Sequence, residues 1–247
     1  MKPLSQSGAA QRARTWLLKR GIDVRRVSAD TEAQAISRLL RDEQITHFLD
    51  IGANQGQFGR FVRSLGFAGP LHSYEPDPTN FVRLQQQAAD DADWSCHNFA
   101  VGGSQASEQV LHVASNAGLS SSLLPASELM TSEFETISFD RGVKVAVLPL
   151  VDVFDRLAAP DGRVFLKVDV QGYERFVFEG GFPTALSDRV PALLVESSFR
   201  PMYDGAWDVS QELTFFYDRG YALAAIFPEV FSEAGNCLEA DLLLRRF

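Results

Sequence analysis

The chain is sparing with the residues that would staple it, load it with metal or draw it to polyanions. It has two cysteines, Cys96 and Cys237, with no C-x-x-C pair and no histidine at ligand spacing. Neither a zinc site nor a disulfide framework is indicated, and a reducing compartment, the cytoplasm, fits. The four histidines, His47, His72, His97 and His112, fall in or beside expected strands without forming a spaced pair, and read as structural. Acids outnumber bases 32 to 23, for a net charge of −9. That balance argues against a nucleic-acid partner, because neutralising phosphates takes clustered Lys and Arg. No apolar run approaches the roughly 18 residues of a membrane span; LLVESSF and YALAAIF are interrupted or short. The opening MKPLSQSGAAQRARTWLLKRG lacks the continuous apolar core of a secretory signal. It reads as an amphipathic helix with Trp16, Leu17 and Leu18 inward and Arg12, Arg14, Lys19 and Arg20 solvated, a transit peptide being the alternative.

What is present is enough for a large core: 247 residues, 45% of them hydrophobic, which one domain accommodates. A second helix is expected in DTEAQAISRLLRDEQ, capped by Asp30 or Thr31. Short apolar runs then alternate with amphipathic ones. Strands are expected over 45–51, 70–75, 94–101, 164–170, 192–197 and 221–227, with helices over 57–65, 79–89, 173–179 and 209–219. Apolar strands joined by helices imply a doubly wound α/β fold with a mostly parallel sheet covered on both faces. The segment from Gly102 to Pro149 departs from this rhythm, with EQVLHVAS and KVAVLPL as added strands around NAGLSSSLLPASELM, and reads as an insertion that partly covers the site. Residues 1–44 are thus expected as a helical extension and 45–247 as the α/β domain.

Open sheets of this kind bind ligands at the carboxyl ends of their strands, where Asp50, Glu75, Asp169 and Glu196 are expected. In DIGANQGQF, Gly52 and Gly56 permit a tight strand-to-helix turn and a close backbone approach to a ligand. A dinucleotide fingerprint would need glycines where Asn54 and Gln57 stand, and no Lys-Ser/Thr pair follows for a phosphate loop. Asp50 would repel phosphates but suits a cationic amino group or a sulfonium. Glu75 lies 19 residues after Gly56, the placement of an acid that accepts both ribose hydroxyls, and Pro76 and Pro78 end its strand sharply. Asn98, Phe99 and Ala100 close the third strand, where small or apolar side chains suit an adenine ring, the alternative being an ordinary strand end before a Gly-Gly turn.

FLDIGANQGQFG, HSYEPDPTNFVRL, HNFAVGG, LKVDVQGYERFVFEGG and LLVESSFRPMYDG together resemble the FkbM-type family of S-adenosylmethionine-dependent methyltransferases, from about Phe48 to the C-terminus. The resemblance implies a Rossmann-like class I methyltransferase fold. It places Asp50, Gly52, Ala53, Asn54 and Gly56 around the amino-acid part of S-adenosylmethionine, Glu75 and Pro76 at the ribose, Ala100 near adenine, and Asp169 beside the sulfonium. Gln171 stands where the family usually has Glu, so a hydrogen-bonding role there survives and a charged one does not. The implied acceptors are hydroxyls on sugars, polyketides or other natural products. An alcohol needs a base: Asp169 is the first candidate, with Glu174 and Glu196 behind it, against the alternatives that Asp169 only orients the cofactor and that Glu174 serves its helix dipole. The same three carboxylates are the choice if a hard cation such as Mg²⁺ assists. Ser121 and Ser122, with Tyr203 and Trp207, are candidate acceptor contacts. An NAD-linked oxidoreductase and a non-catalytic nucleoside-binding protein are the rival readings.

Overall fold

The computed structural model describes residues 15–17, 19, 20, 31–157, 161–182 and 188–247. By contacts the chain divides into two units, Met1–Ala35 and Ile36–Phe247, a division nine residues earlier than the 44/45 boundary read from the sequence. Most of the expected N-terminal amphipathic helix lies outside the described residues; Trp16 is exposed, with the Arg20 guanidinium 3.6 Å from its ring centroid.

The described helices are α1 (Glu32–Asp42), α2 (Gln57–Ser64), α3 (Pro78–Ala88), α4 (Glu128–Glu133), α5 (Leu150–Asp155), α6 (Glu174–Glu179) and α7 (Val209–Tyr217). The strands are β1 (His47–Ile51), β2 (Leu71–Tyr74), β3 (Trp94–His97), β4 (Ala100–Val101), β5 (Ser107–Val113), β6 (Arg141–Leu148), β7 (Val164–Val168), β8 (Ala192–Ser198), β9 (Tyr221–Phe231) and β10 (Cys237–Arg246). Helix starts follow local chemistry. Thr31 and Gln34 form a reciprocal capping box at α1, Asp77 accepts from Thr79 N with Pro78 at the first position of α3, and Asp208 and Gln211 box the start of α7.

Seven strands make one sheet in the order β3-β2-β1-β7-β8-β10-β9, parallel from β3 to β8 and antiparallel on either side of β10. Both faces are covered, which is why β1 is buried on both. Phe48 stacks on Phe165 of β7 at 5.0 Å and meets Phe58 of α2 at 5.9 Å. Leu49 and Ile51 point the other way, into a core shared with Leu166, Val195, Phe154 of α5, Phe178 of α6 and Phe216 of α7. The doubly wound, mostly parallel fold expected from the strand–helix alternation is the fold present.

Two details correct the sequence reading. The run 94–101 is two strands: β3 ends at His97, and β4 leaves for a second sheet ordered β4-β6-β5. Asn98 makes the break, donating from Nδ2 to the carbonyls of Glu75 (2.8 Å) and Pro76 (3.1 Å) instead of continuing the ladder. Strand β10, not foreseen, inserts between β8 and β9, so the run over 221–227 becomes an edge strand with antiparallel pairing. Among the described residues, no helix is long and apolar enough to cross a membrane.

Three of the four histidines stack across β1, β2 and β3. His47 and His72 rings lie 6.3 Å apart and His72 and His97 6.0 Å, ending against Tyr74 at 4.7 Å from His97. Burial lowers all three, with Arg189 adding to the effect on His47 and Arg156 on His97; His72 falls to about 4, helped by its two histidine neighbours. A folded pKa below the unfolded value means stability that is present above about pH 6.5 and lost as pH falls towards 4. His72→Phe is therefore expected to flatten the stability curve between pH 7 and 5 by about 1 kcal/mol, after allowance for partial exposure. Denaturant melts of both proteins at the two pH values check this; parallel curves would refute it.

Candidate functional site

The strand order reverses between β1 and β7, and the crevice at such a switch point is where an open sheet receives a ligand. A cavity of about 650 Å³, mouth included, opens there. Its floor is Gly52 and Asn54 after β1, Glu75 and Pro76 after β2, Ala100 of β4, and Asp169, Val170 and Gln171 after β7. Its roof is the insertion: Leu111, Gly118, Leu119, Ser121 and Leu123. The roof is tied at both margins. Asn80 Nδ2 donates to Ala117 O (3.1 Å), while Ser122 Oγ donates to Gln171 O (2.7 Å) and Tyr203 OH to Ser120 O (2.8 Å).

The turn after β1 is made by Gly52, at φ +79°, whose N–H donates to Tyr74 O at 3.0 Å. A Cβ there would stand 1.7 Å from the Asp169 carbonyl oxygen, so the two strand ends meet through backbone alone. Gly56, also left-handed, begins α2, and its neighbours are the side chains of Leu84 and Trp94. Both Gly56 and Ala53, which is buried, support the turn without lining the cavity.

Glu75 is buried at the cavity wall, its Oε2 accepting from Asn54 N (2.8 Å) and its Oε1 from Asp77 N (2.7 Å). Burial pushes its carboxyl up to about 8, against those two bonds, which favour the ionised form. A carboxyl left at the edge of ionisation beside a cavity is poised to accept hydroxyl donors.

Asp50, expected to face the ligand, does not. It is fully buried beneath the turn, bonded by Ser73 Oγ (3.1 Å) and 3.5 Å from Lys167 Nζ, because β1 and β7 pair Asp50 directly with Lys167. Asp169, like Glu75, reaches the cavity. Its Oδ2 accepts from Lys167 Nζ at 3.0 Å and its Oδ1 from Gln171 Nε2 at 3.1 Å. Gln171, held at φ +56°, donates its second amide hydrogen to Glu196 Oε2 at 2.6 Å. An amide at 171 thus bridges two carboxylates that a third acid would repel.

The two reserve bases are placed elsewhere. Glu174 is buried, accepting from Val170 N at 2.8 Å, and burial pushes it up to about 8; it closes the backbone turn before α6. Glu196 sits behind Gln171, raised well above the carboxylate range by burial and then by Asp169, Glu239, Glu174 and Asp241. Among the described residues, no three His, Cys, Asp or Glu side chains are arranged to hold a metal. Of the four acceptor candidates only Ser121 lines the cavity, its Oγ accepting from Ala114 N. Ser122 and Tyr203 are buried as the roof's ties, and Trp207, half-buried, packs on Phe215 at 5.0 Å against the edge of the core. Lys167 and Asn80 were not anticipated. A lone lysine inside the apolar run VFLKVDV was the available signal for the first, since a strand buried on both faces admits a charge only with a partner.

An open, mostly parallel sheet with a glycine turn after its first strand and a buried acid after its second defines the Rossmann-like class of nucleoside-binding α/β proteins. Residues 50–223 match the methyltransferase FkbM domain. The chain belongs to the FkbM methyltransferase family and is an S-adenosylmethionine-dependent methyltransferase. Solved structures resemble it at low identity. A TehB-like S-adenosylmethionine-dependent methyltransferase of Corynebacterium glutamicum is 13% identical, with 97% of this chain and 96% of that one covered and a TM-score of 0.41. Precorrin-6y C5,15-methyltransferase of Geobacter metallireducens is 11% identical over 90% and 92%, at 0.43. Fibrillarin of Aeropyrum pernix, in complex with S-adenosyl-L-methionine, is 10% identical over 81% and 66%, at 0.44. No curated protein matches the sequence.

The residues present fit the cofactor. The turn at Gly52 leaves no room for a side chain, so a ligand meets backbone there, and the buried Glu75 carboxyl offers a hydroxyl acceptor across the same cavity.

Proposed function

We propose that this methyltransferase acts on a hydroxyl of a sugar or natural-product acceptor in the cytoplasm. The reading rests on Asp169, a carboxylate with two oxygens fixed by Lys167 and Gln171 and a face on the cavity. S-adenosylmethionine supplies a methyl group on a sulfonium, delivered by in-line displacement. The chain's own work is to hold the acceptor oxygen about 3 Å from that carbon and to accept the hydroxyl proton on an Asp169 oxygen as the new bond forms. Gly52, Asn54, Glu75, Pro76, Ala100 and Gln171 hold the cofactor, with Glu75 at the ribose, and Leu111 and Leu123 exclude water. The net charge of −9 suits a neutral or glycan acceptor better than a nucleic acid.

Calorimetric titration with S-adenosylmethionine, S-adenosylhomocysteine and NAD, followed by transfer assays across sugar and polyketide hydroxyls, tests the reading. Binding of NAD alone would replace it with the oxidoreductase; binding of both adenosyl ligands without transfer to any hydroxyl would favour a nucleoside-binding protein. A pH dependence is built into it. Ribose hydroxyls favour the ionised form of Glu75, which near pH 8 is half formed. Affinity for S-adenosylmethionine is therefore expected to rise about tenfold from pH 7 to pH 9. Glu75→Gln should bind more weakly and lose the rise; a slope that persists in the variant would place the titrating group elsewhere.

A further inference from the structure

Lys167 is buried in the sheet between two carboxylates on neighbouring strand ends. Its ammonium donates to Asp169 Oδ2 at 3.0 Å and Gly52 O at 3.2 Å and forms an ion pair with Asp50 Oδ1 at 3.5 Å, an oxygen that accepts no hydrogen bond. It therefore touches the glycine turn and the cavity carboxylate at once. We propose that Lys167 is a positioning residue for methyl transfer, locking the plane of the Asp169 carboxylate to the Gly52 turn so that Asp169 faces the sulfonium. The proposal rests on the reading of Asp169 given above.

The bland role for such a lysine is to neutralise Asp50, which is fully buried, accepts a hydrogen bond from Ser73 Oγ on Oδ2 and has none on Oδ1. Geometry argues for more. Neutralising Asp50 alone would be served by an ammonium centred on it, yet Lys167 stands closer to Asp169, a third of whose side chain is exposed. It also spends a hydrogen bond on the Gly52 carbonyl, which carries no charge to neutralise. The groups acting on Lys167 come from several elements: Asp50 of β1, Asp169 after β7, Asp241 of β10, Glu75 after β2 and Glu229 of β9. Burial alone would lower the lysine, but Asp169 and Asp50 override it and keep the ammonium charged. With the ammonium present, Asp169 is tethered at both oxygens; without it, only Gln171 remains.

The two roles separate in the double variant Asp50→Asn/Lys167→Met, which removes the buried acid together with its counter-charge and keeps an unbranched side chain at 167. Wild type, Lys167→Met and the double variant are titrated calorimetrically with S-adenosylmethionine and with S-adenosylhomocysteine, whose thioether sulfur carries no charge, after thermal melts establish which are folded. The proposal expects the double variant to bind S-adenosylhomocysteine within about threefold of wild type and S-adenosylmethionine about tenfold more weakly, because an untethered Asp169 no longer faces the sulfonium. Wild-type affinity for both ligands in the double variant would show that Lys167 only neutralises Asp50 and would overturn the proposal, as would equal weakening of both. Lys167→Met is expected to melt lower than the double variant, since it alone strands the Asp50 charge; should it fail to fold, the double variant still decides. Failure of wild type to bind either ligand would sink the function itself, a result distinct from any of these.

Discussion

Asp169→Asn is expected to cut methyl transfer by about 10²- to 10⁴-fold while S-adenosylmethionine still binds measurably. Asn preserves the volume and one carbonyl oxygen but accepts no proton at neutral pH. Its fit can be followed atom by atom. With its oxygen towards Lys167 Nζ, its amide would face Gln171 Nε2, donor against donor. Gln171 can turn its own amide to offer Oε1, which gives up the bond from Tyr203 OH and leaves Nε2 to donate to that hydroxyl, but Oε1 would then face Glu196 Oε2 in place of the present donor. Glu196, already raised well above the carboxylate range by burial, can supply a proton to that contact. The network is thus repaired at modest cost, and binding should weaken by no more than about tenfold. Single-turnover assays on an acceptor that wild type methylates, beside calorimetry, measure the two quantities separately. Unchanged turnover would remove Asp169 from the role of base and leave it an orienting group.

Much of the fold was legible because the elements carrying it obey simple periods. The runs at β1, β7 and β8 are buried on both faces, the amphipathic stretches around them are capped by Thr31, Asp77 and Asp208, and the glycine turn sits at the first strand end. What escaped notice was set by tertiary partners. Strand β10 contains Glu239 and Asp241, which break its apolar run; both are buried because β8 and β9 pair with it on either side. The break at Asn98 depends on carbonyls more than 20 residues earlier in the chain. Glu75, Gly52 and Asp169 are expected at the site from their strand-end positions, and all three line the cavity. Asp50 was misplaced because alternation along β1 puts Phe48 and Asp50 on one face and the β1–β7 register sets Lys167 opposite, and register is not visible in one strand's sequence. The sequence suggests an acceptor-facing mixture at Tyr203 and Trp207, whereas Tyr203 OH bonds Ser120 O of the roof loop and Gln171 Oε1, and Trp207 packs on Phe215.

Gly52→Ala is expected to abolish cofactor binding, with a loss above about 100-fold, and to destabilise the fold by about 3 kcal/mol or more. Two costs combine. The backbone at φ +79° is left-handed, which costs a residue with a Cβ about 1–2 kcal/mol. The added carbon would lie 1.7 Å from Asp169 O and 2.8 Å from Asp169 C, both backbone atoms, so no side-chain rotation relieves the clash. Relief requires the β7 end to retreat from β1 by more than 1 Å, which pulls on the Asp169 N–H bond to Ile51 O (3.1 Å) and on the Lys167 bond to Gly52 O. Every group on the cavity floor would move with it. The other left-handed glycines calibrate the effect. Gly66, at φ +90°, has nothing within 4 Å of its would-be Cβ, so Gly66→Ala should show the conformational cost alone and bind normally. At Gly56 the nearest atoms are side-chain carbons of Leu84 and Trp94 at 3.0 and 3.3 Å, so Gly56→Ala should fall between the two. Thermal melts and calorimetric titration of the three variants give the ranking; a Gly52→Ala protein that melts and binds like Gly66→Ala would mean that the turn at residue 52 does not form the cofactor cradle.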